Sequence, residues 1–165
     1  MGLGPPRHPR LLALAGCPAL LALGLDQASK AWILKALAEP PHHMPVMEYL
    51  SFDLLWNHGV TFGLFSDPKA SATLLWCTMA AFMIAYLLGY LWRVEHWLGA
   101  VAAGMIIGGA IGNVIDRLQF GAVVDFIHVA YYPWVFNIAD CAVVVGVGIL
   151  IWDPRKKLPA ENPTN

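Results

Sequence analysis

Residues 123–152 read VVDFIHVAYYPWVFNIADCAVVVGVGILIW. Asp125 and Asp140 stand in apolar surroundings here, and from Cys141 to Trp152 no further carboxylate or base follows. The second half is apolar enough for a membrane helix, with Asp140 at its entrance. An acid at the centre of such a helix costs about 2.5–3.5 kcal/mol on insertion scales. Two retained acids therefore ask for a use, and paired carboxylates at one membrane face are the minimum for aspartyl chemistry. Between them, Tyr131, Tyr132, Pro133 and Trp134 have the aromatic character of a bilayer boundary.

Outward from this stretch, the chain keeps the same character. It has 165 residues, 58% hydrophobic and 13% charged, about half the roughly 25% charged residues of a soluble domain. The formal net charge of −1 carries no basic footprint for a nucleic acid. Four apolar stretches approach the roughly 20 residues that a span needs: 11–37, 70–92, 97–115 and 137–152. Residues 39–69, punctuated by Pro40, Pro41, Pro45, Gly59, Gly63 and Pro68 and rich in β-formers from Met47 to Phe65, read as an outer cap with short strands. Residues 118–136 read as an outer interfacial loop. The expected fold is a single all-α integral membrane domain of four transmembrane helices with a small strand-containing extracytoplasmic cap.

Basic residues set the expected orientation. Arg7 and Arg10, Arg93, and Arg155, Lys156 and Lys157 fall on one side of a four-span bundle, which the positive-inside rule makes cytoplasmic. Both termini are then inside. Asp26, Asp116, Asp125 and Asp140 gather at one level near the outer boundary.

Each polar constellation has a plain structural reading. Asn137 and Asp140 fit an N-cap and an acid in the first helical turn, an arrangement compatible with catalysis. Asp125 is either paired with Arg117 or His128 or is one half of a dyad, in which two close carboxylates share a proton and supply both acid and base. Asn113 and Asp116 share a helix face, and Asp116 with Arg117 suits a charge pair shaping the site. Asp26 and Lys30 form an i,i+4 pair, with headgroup or substrate contact as the alternative. Asn57, beside Gly59, is placed to reach a substrate backbone. Gly104, Gly108 and Gly112 form a small-residue stripe for close helix packing. His42 and His43 have no partners that complete a metal site. Cys17, Cys77 and Cys141 read as small membrane-core residues, and Leu14–Cys17 is a lipobox-like decoy preceded by too short an apolar run.

In order along the chain, the segments Asp26–Lys30 (DQASK), Asn57–Gly63 (NHGVTFG), Gly112–Arg117 (GNVIDR), Val123–Phe126 (VVDF) and Phe136–Asp140 (FNIAD) resemble those of the signal peptidase II family, the membrane aspartyl proteases of bacterial lipoprotein maturation. The resemblance implies a catalytic pair, Asp125 and Asp140. It implies supporting polar residues at Asp26, Lys30, Asn57, Gly59, Asn113, Asp116, Arg117 and Asn137. It further implies no metal and no organic cofactor, a diacylglyceryl-modified prolipoprotein cut just before its lipidated cysteine, contact with membrane lipid, and a monomer in the bacterial inner membrane with its site toward the outer face. Val60 and Thr61, and a short interval between the two aspartates, depart from the family pattern and bear on the cover over the substrate. The rival from another class is a small proton-coupled transporter, since intramembrane acids also mark proton relays. The acids cluster at one face and no internal repeat is visible, which favours the enzyme.

Overall fold

The computed structural model describes residues 9–59 and 68–152. It contains four helices, α1 (Pro9–Ala36), α2 (Pro68–Leu91), α3 (Trp97–Phe120) and α4 (Ile138–Trp152). Four strands, β1 (His43–Met47), β2 (Leu50–Asn57), β3 (Val123–Val129) and β4 (Val135–Phe136), form one antiparallel sheet in the order β1-β2-β3-β4.

α3 is the hub, in contact with all three other helices. Its start is capped by His96, whose ring accepts from the Gly99 N–H, and its end by Gly121 at φ 69°, whose N–H returns to the Arg117 carbonyl. That left-handed turn suits glycine. The small-residue stripe serves the packing directly. A Cβ on Gly104 or Gly108 would lie 2.2 Å from the carbonyl oxygen of Ala15 or Ala19 on α1, and one on Gly109 would lie 2.5 Å from that of Ala139 on α4. Larger residues there would push the helices apart.

Outward faces remain apolar. Leu20, Phe82, Tyr86, Val144 and Ile151 are all exposed, which suits hydrocarbon and not water. Among the described residues three helices are long and apolar enough to cross a membrane. α4 has 15 residues, about 22 Å of rise against a hydrocarbon core of about 30 Å.

The sheet is pinned to the end of α1, where Ile33 and Leu37 pack with Phe126 of β3, and Phe52 and Leu54 of β2 cover them. Two features differ from the sequence reading. The interval 118–136 is not an interfacial loop: α3 continues to Phe120, and β3 and β4 follow. The valines and aromatics of Val123–Val129 are good strand formers, and their partner β2 lies far away in sequence, so the pairing had no local signal. The expected cap is thus half of a sheet whose other half comes from beyond α3. Of the residues used for orientation, Arg7, Arg155, Lys156 and Lys157 lie outside the described residues, as do Val60, Thr61 and the rest of the cap from 60 to 67.

Candidate active site

Asp125 sits in the middle of β3, opposite Leu55 of β2, and is 1% exposed. Its two oxygens each accept from an amide: Oδ2 from Asn57 Nδ2 at 2.8 Å and Oδ1 from Asn137 Nδ2 at 2.7 Å. Asn57 ends β2, and its own Oδ1 accepts from the Gly59 N–H at 2.9 Å. That turn aims its NH2 at Asp125. Gly59 has φ +74°, and a Cβ there would lie 2.2 Å from Trp76 Nε1. Glycine is needed on both counts.

Asp140 stands in the first turn of α4. Its N–H donates to Asn137 Oδ1 at 2.9 Å, and the Asn137 N–H reaches back to Asp140 Oδ2 at 3.4 Å. This is a reciprocal capping box. Asp140 Oδ1 accepts from Asn113 Nδ2 at 2.9 Å. Asn137, fully buried, thus touches both carboxylates, and its second amide hydrogen goes to Asn113 Oδ1 at 3.1 Å.

Both aspartates line one cleft of about 750 Å³, bordered by Asn57, Tyr132, Trp134, Phe136, Cys141 and Val144. A neighbouring cavity of about 530 Å³, bordered by Trp76, Met79, Met83, Asn113 and Arg117, also reaches Asp140. Burial pushes the Asp125 carboxyl up to about 6. The Asn57 bond pulls it down, the Asp140 charge pushes it up, and the Asn137 bond and Lys30 charge pull it down.

A second group of acids lies behind this pair. Lys30, 3% exposed, bonds Asp26 Oδ2 at 2.7 Å and Asp116 Oδ2 at 2.8 Å, and its third contact is Asn113 Oδ1 at 3.1 Å. Asp26 and Asp116 are 0% and 1% exposed. The i,i+4 pair is therefore buried and three-membered, and it meets neither headgroup nor solvent. Asp116 pairs with Lys30, not with Arg117 as the charge-pair reading had it. Arg117 instead stacks on Trp76, 5.5 Å from the ring centroid, and donates to the Asn113 carbonyl at 3.4 Å. Neither Arg117 nor His128 bonds Asp125. His128 bonds Asp53 Oδ2 at 2.6 Å, and His43 holds the other oxygen of Asp53. Among the described residues no group of three or more His, Cys, Asp or Glu could hold a metal ion.

All ten residues singled out in the sequence are in the described structure, and nine of them interlock through side chains or a cap. Arg117 joins through a backbone contact and the cavity beside Asp140. Sequence reasoning missed Gln27, whose Nε2 lies 3.1 Å from Asp116 Oδ1 and 3.2 Å from Asp26 Oδ2. Its place one residue after Asp26 was the available signal. It also missed that Cys141 borders the cleft.

Apolar helices around a small sheet, with one buried and one half-buried carboxylate lining a shared cleft, suit a membrane enzyme of the paired-acid type. The family described as signal peptidase (SPase) II matches residues 18–154. A lipoprotein signal peptidase of Rhodopseudomonas palustris (strain TIE-1) is 41% identical over 150 residues, covering 86% of this chain and 92% of its own. One from Caulobacter vibrioides is 42% identical over 142 residues, covering 82% of each. A bacterial membrane enzyme solved by the in meso method at 1.9 Å resolution shares the fold, with TM-score 0.73 at 22% identity over 96% of this chain and all of the other. The chain belongs to the signal peptidase II family, and it is a peptidase.

Proposed function

We propose that this chain removes the signal peptide from diacylglyceryl-modified prolipoproteins, cutting just before the lipidated cysteine, with Asp125 and Asp140 as the catalytic residues. The observation that carries the assignment is the shared cleft. Asp125 and Asp140 line it together, each held by an asparagine amide, whereas Asp26 and Asp116 border neither cavity described above.

In this mechanism the ionised member of the pair takes a proton from a water that attacks the scissile carbonyl carbon. The protonated member donates to the carbonyl oxygen. The tetrahedral intermediate then collapses as a proton passes to the leaving amine. Asp125, pushed up to about 6, holds a proton more readily than an ordinary carboxyl. Asp140, in the first turn of α4 with Asn113 donating to its Oδ1, takes the other part of the pair. Asn57, Asn113 and Asn137 orient the pair, and Gly59 orients Asn57. Asp26, Lys30 and Asp116 support it from behind, and Arg117 faces the second cavity.

The proposal extends to the placement of the chain in the membrane. One membrane domain crosses the bacterial inner membrane four times, with α4 as the short fourth crossing. Both termini lie inside, and the sheet and cleft lie at the outer face. The protein works as a monomer that meets its substrate laterally. The cleft wall of Tyr132, Trp134, Phe136 and Val144 suits acyl chains, each buried methylene contributing about 0.8 kcal/mol before membrane competition. An unlipidated precursor already sits in the bilayer through its signal helix, so the lipid acts mainly by placing the scissile bond against the pair. Purified protein in vesicles should cleave a lipidated precursor much faster than the unlipidated form at equal membrane density, with chelator present. Equal rates would refute the lipid-dependent reading, and inhibition by chelator relieved by zinc would refute the paired-acid one.

A further inference from the structure

We propose that Lys30 is the positioning residue that aligns the two cleft aspartates, by gathering Asp26, Asp116 and Asn113 into one buried cluster whose remaining contacts hold Asp140 and the backbone just before each aspartate. The proposal rests on the reading of Asp125 and Asp140 as the catalytic pair.

The contacts run outward from one nitrogen. Lys30 Nζ meets three oxygens: it donates to Asp26 Oδ2 and Asn113 Oδ1 and forms an ion pair with Asp116 Oδ2. The free oxygen of Asp26 accepts from the Ala139 N–H at 2.9 Å, and Ala139 directly precedes Asp140. Asp116 Oδ2 also accepts from the Val124 N–H at 3.0 Å, and Val124 directly precedes Asp125. The two buried acids therefore grip the chain one residue ahead of each cleft aspartate, and Lys30 draws the two grips together.

The third contact sets a polarity. An ammonium can only donate, so Asn113 must turn its oxygen toward Lys30 and its NH2 toward Asp140 Oδ1. Asn137 donates to the same Asn113 oxygen and reinforces that orientation. Without Lys30 the Asn113 amide could turn over and present oxygen to oxygen. A buried charged side chain that merely stabilised helix packing would need neither the Ala139 and Val124 contacts nor the amide relay.

The test compares steady-state cleavage of a lipidated precursor by wild type, Lys30→Met, Asn113→Ala and the double variant, each corrected for folded protein. Misplacement on the ångström scale costs about a hundredfold. Lys30→Met should therefore lose kcat by about that factor, with KM within about twofold. In the Asn113→Ala background the same substitution should cost less, because one of its three routes is already cut. A charge-balanced variant, Lys30→Met with Asp26→Asn, covers the case in which Lys30→Met alone does not fold. It should show the same kcat loss at retained KM. Unchanged kcat, a loss confined to KM, or fully multiplicative losses would overturn the proposal. So would failure of both Lys30 variants to fold, since the cluster would then hold the fold and not the alignment. Wild type that leaves the precursor uncut would instead sink the parent reading.

Discussion

Two pairs of aspartates lie within one hydrogen-bonded network and differ in their partners. Asp26 and Asp116 share a lysine and are sealed in protein. Asp125 and Asp140 are held by neutral amides and border a cleft. A carboxylate bonded to a lysine and sealed in protein presents no open face to a substrate. One held by amides at a cleft wall stands open to a substrate, and burial raises the Asp125 carboxyl to about 6 against the pull of its amide partners. All four are aspartates, and on the proposed reading it is the partner and the cavity that separate the two pairs.

The sealed pair should answer to stability measurements. Asp26→Ala leaves Lys30 short of a counter-charge and the Ala139 N–H without its acceptor. Removing one partner of a buried ion pair costs about 3–5 kcal/mol, and thermal unfolding in detergent micelles would show it. A loss near zero would mean that the Asp26–Lys30 ion pair adds nothing to the stability of the helix bundle.

A smaller effect is expected at the edge of the open pair. Gly59→Ala must adopt φ +74° and meets the Trp76 ring, a strain of about 1–3 kcal/mol. It also disturbs the turn that aims Asn57. Turnover should fall by roughly tenfold, the order of a misaimed hydrogen-bond donor, with only a modest drop in Tm. Unchanged turnover would show that Asn57 does not need its turn to serve Asp125.

The pH dependence distinguishes the pairs more finely. The folded-state value of Asp125 is raised to about 6 from an ordinary 3.8, so the folded state binds that proton more tightly than the unfolded one. Its contribution to stability is present below about pH 4 and is lost as pH rises from about 4 to 6. Tm followed across this window should fall in wild type. It should fall less in Asp125→Asn, although that variant also gives up one accepted amide bond. An equal fall in both would remove Asp125 as its source.

The smallest effect concerns Cys141, which borders the cleft without bonding either acid. A bulky thiol reagent should slow cleavage by filling the cleft, while Cys141→Ala should keep near-full turnover and escape the reagent. Substantial loss of activity in Cys141→Ala would give the thiol a chemical role.

Much of this was legible in the sequence because it is local. The long apolar runs marked the helices, and the spacing of Asn137 and Asp140 gave the cap. The isolation of Asp125 among valines marked it as an acid with a purpose. What was not legible depends on which distant segment approaches. Asn57 meets Asp125 across 68 residues and Lys30 meets Asn113 across 83, and no local pattern encodes those distances. For the same reason Asp116 was assigned to its neighbour Arg117 and not to Lys30, and β3 was read as loop because its partner strand precedes α2.

The most direct measurement is turnover of a lipidated precursor per folded molecule for Asp26→Asn, Asp116→Asn, Asp125→Asn and Asp140→Asn, with Tm recorded for each. Asp125→Asn and Asp140→Asn should remain folded and lose cleavage altogether. Asp26→Asn and Asp116→Asn should lose Tm and retain measurable turnover in whatever fraction stays folded. Full turnover in a folded Asp125→Asn or Asp140→Asn variant would contradict the assignment of the catalytic pair.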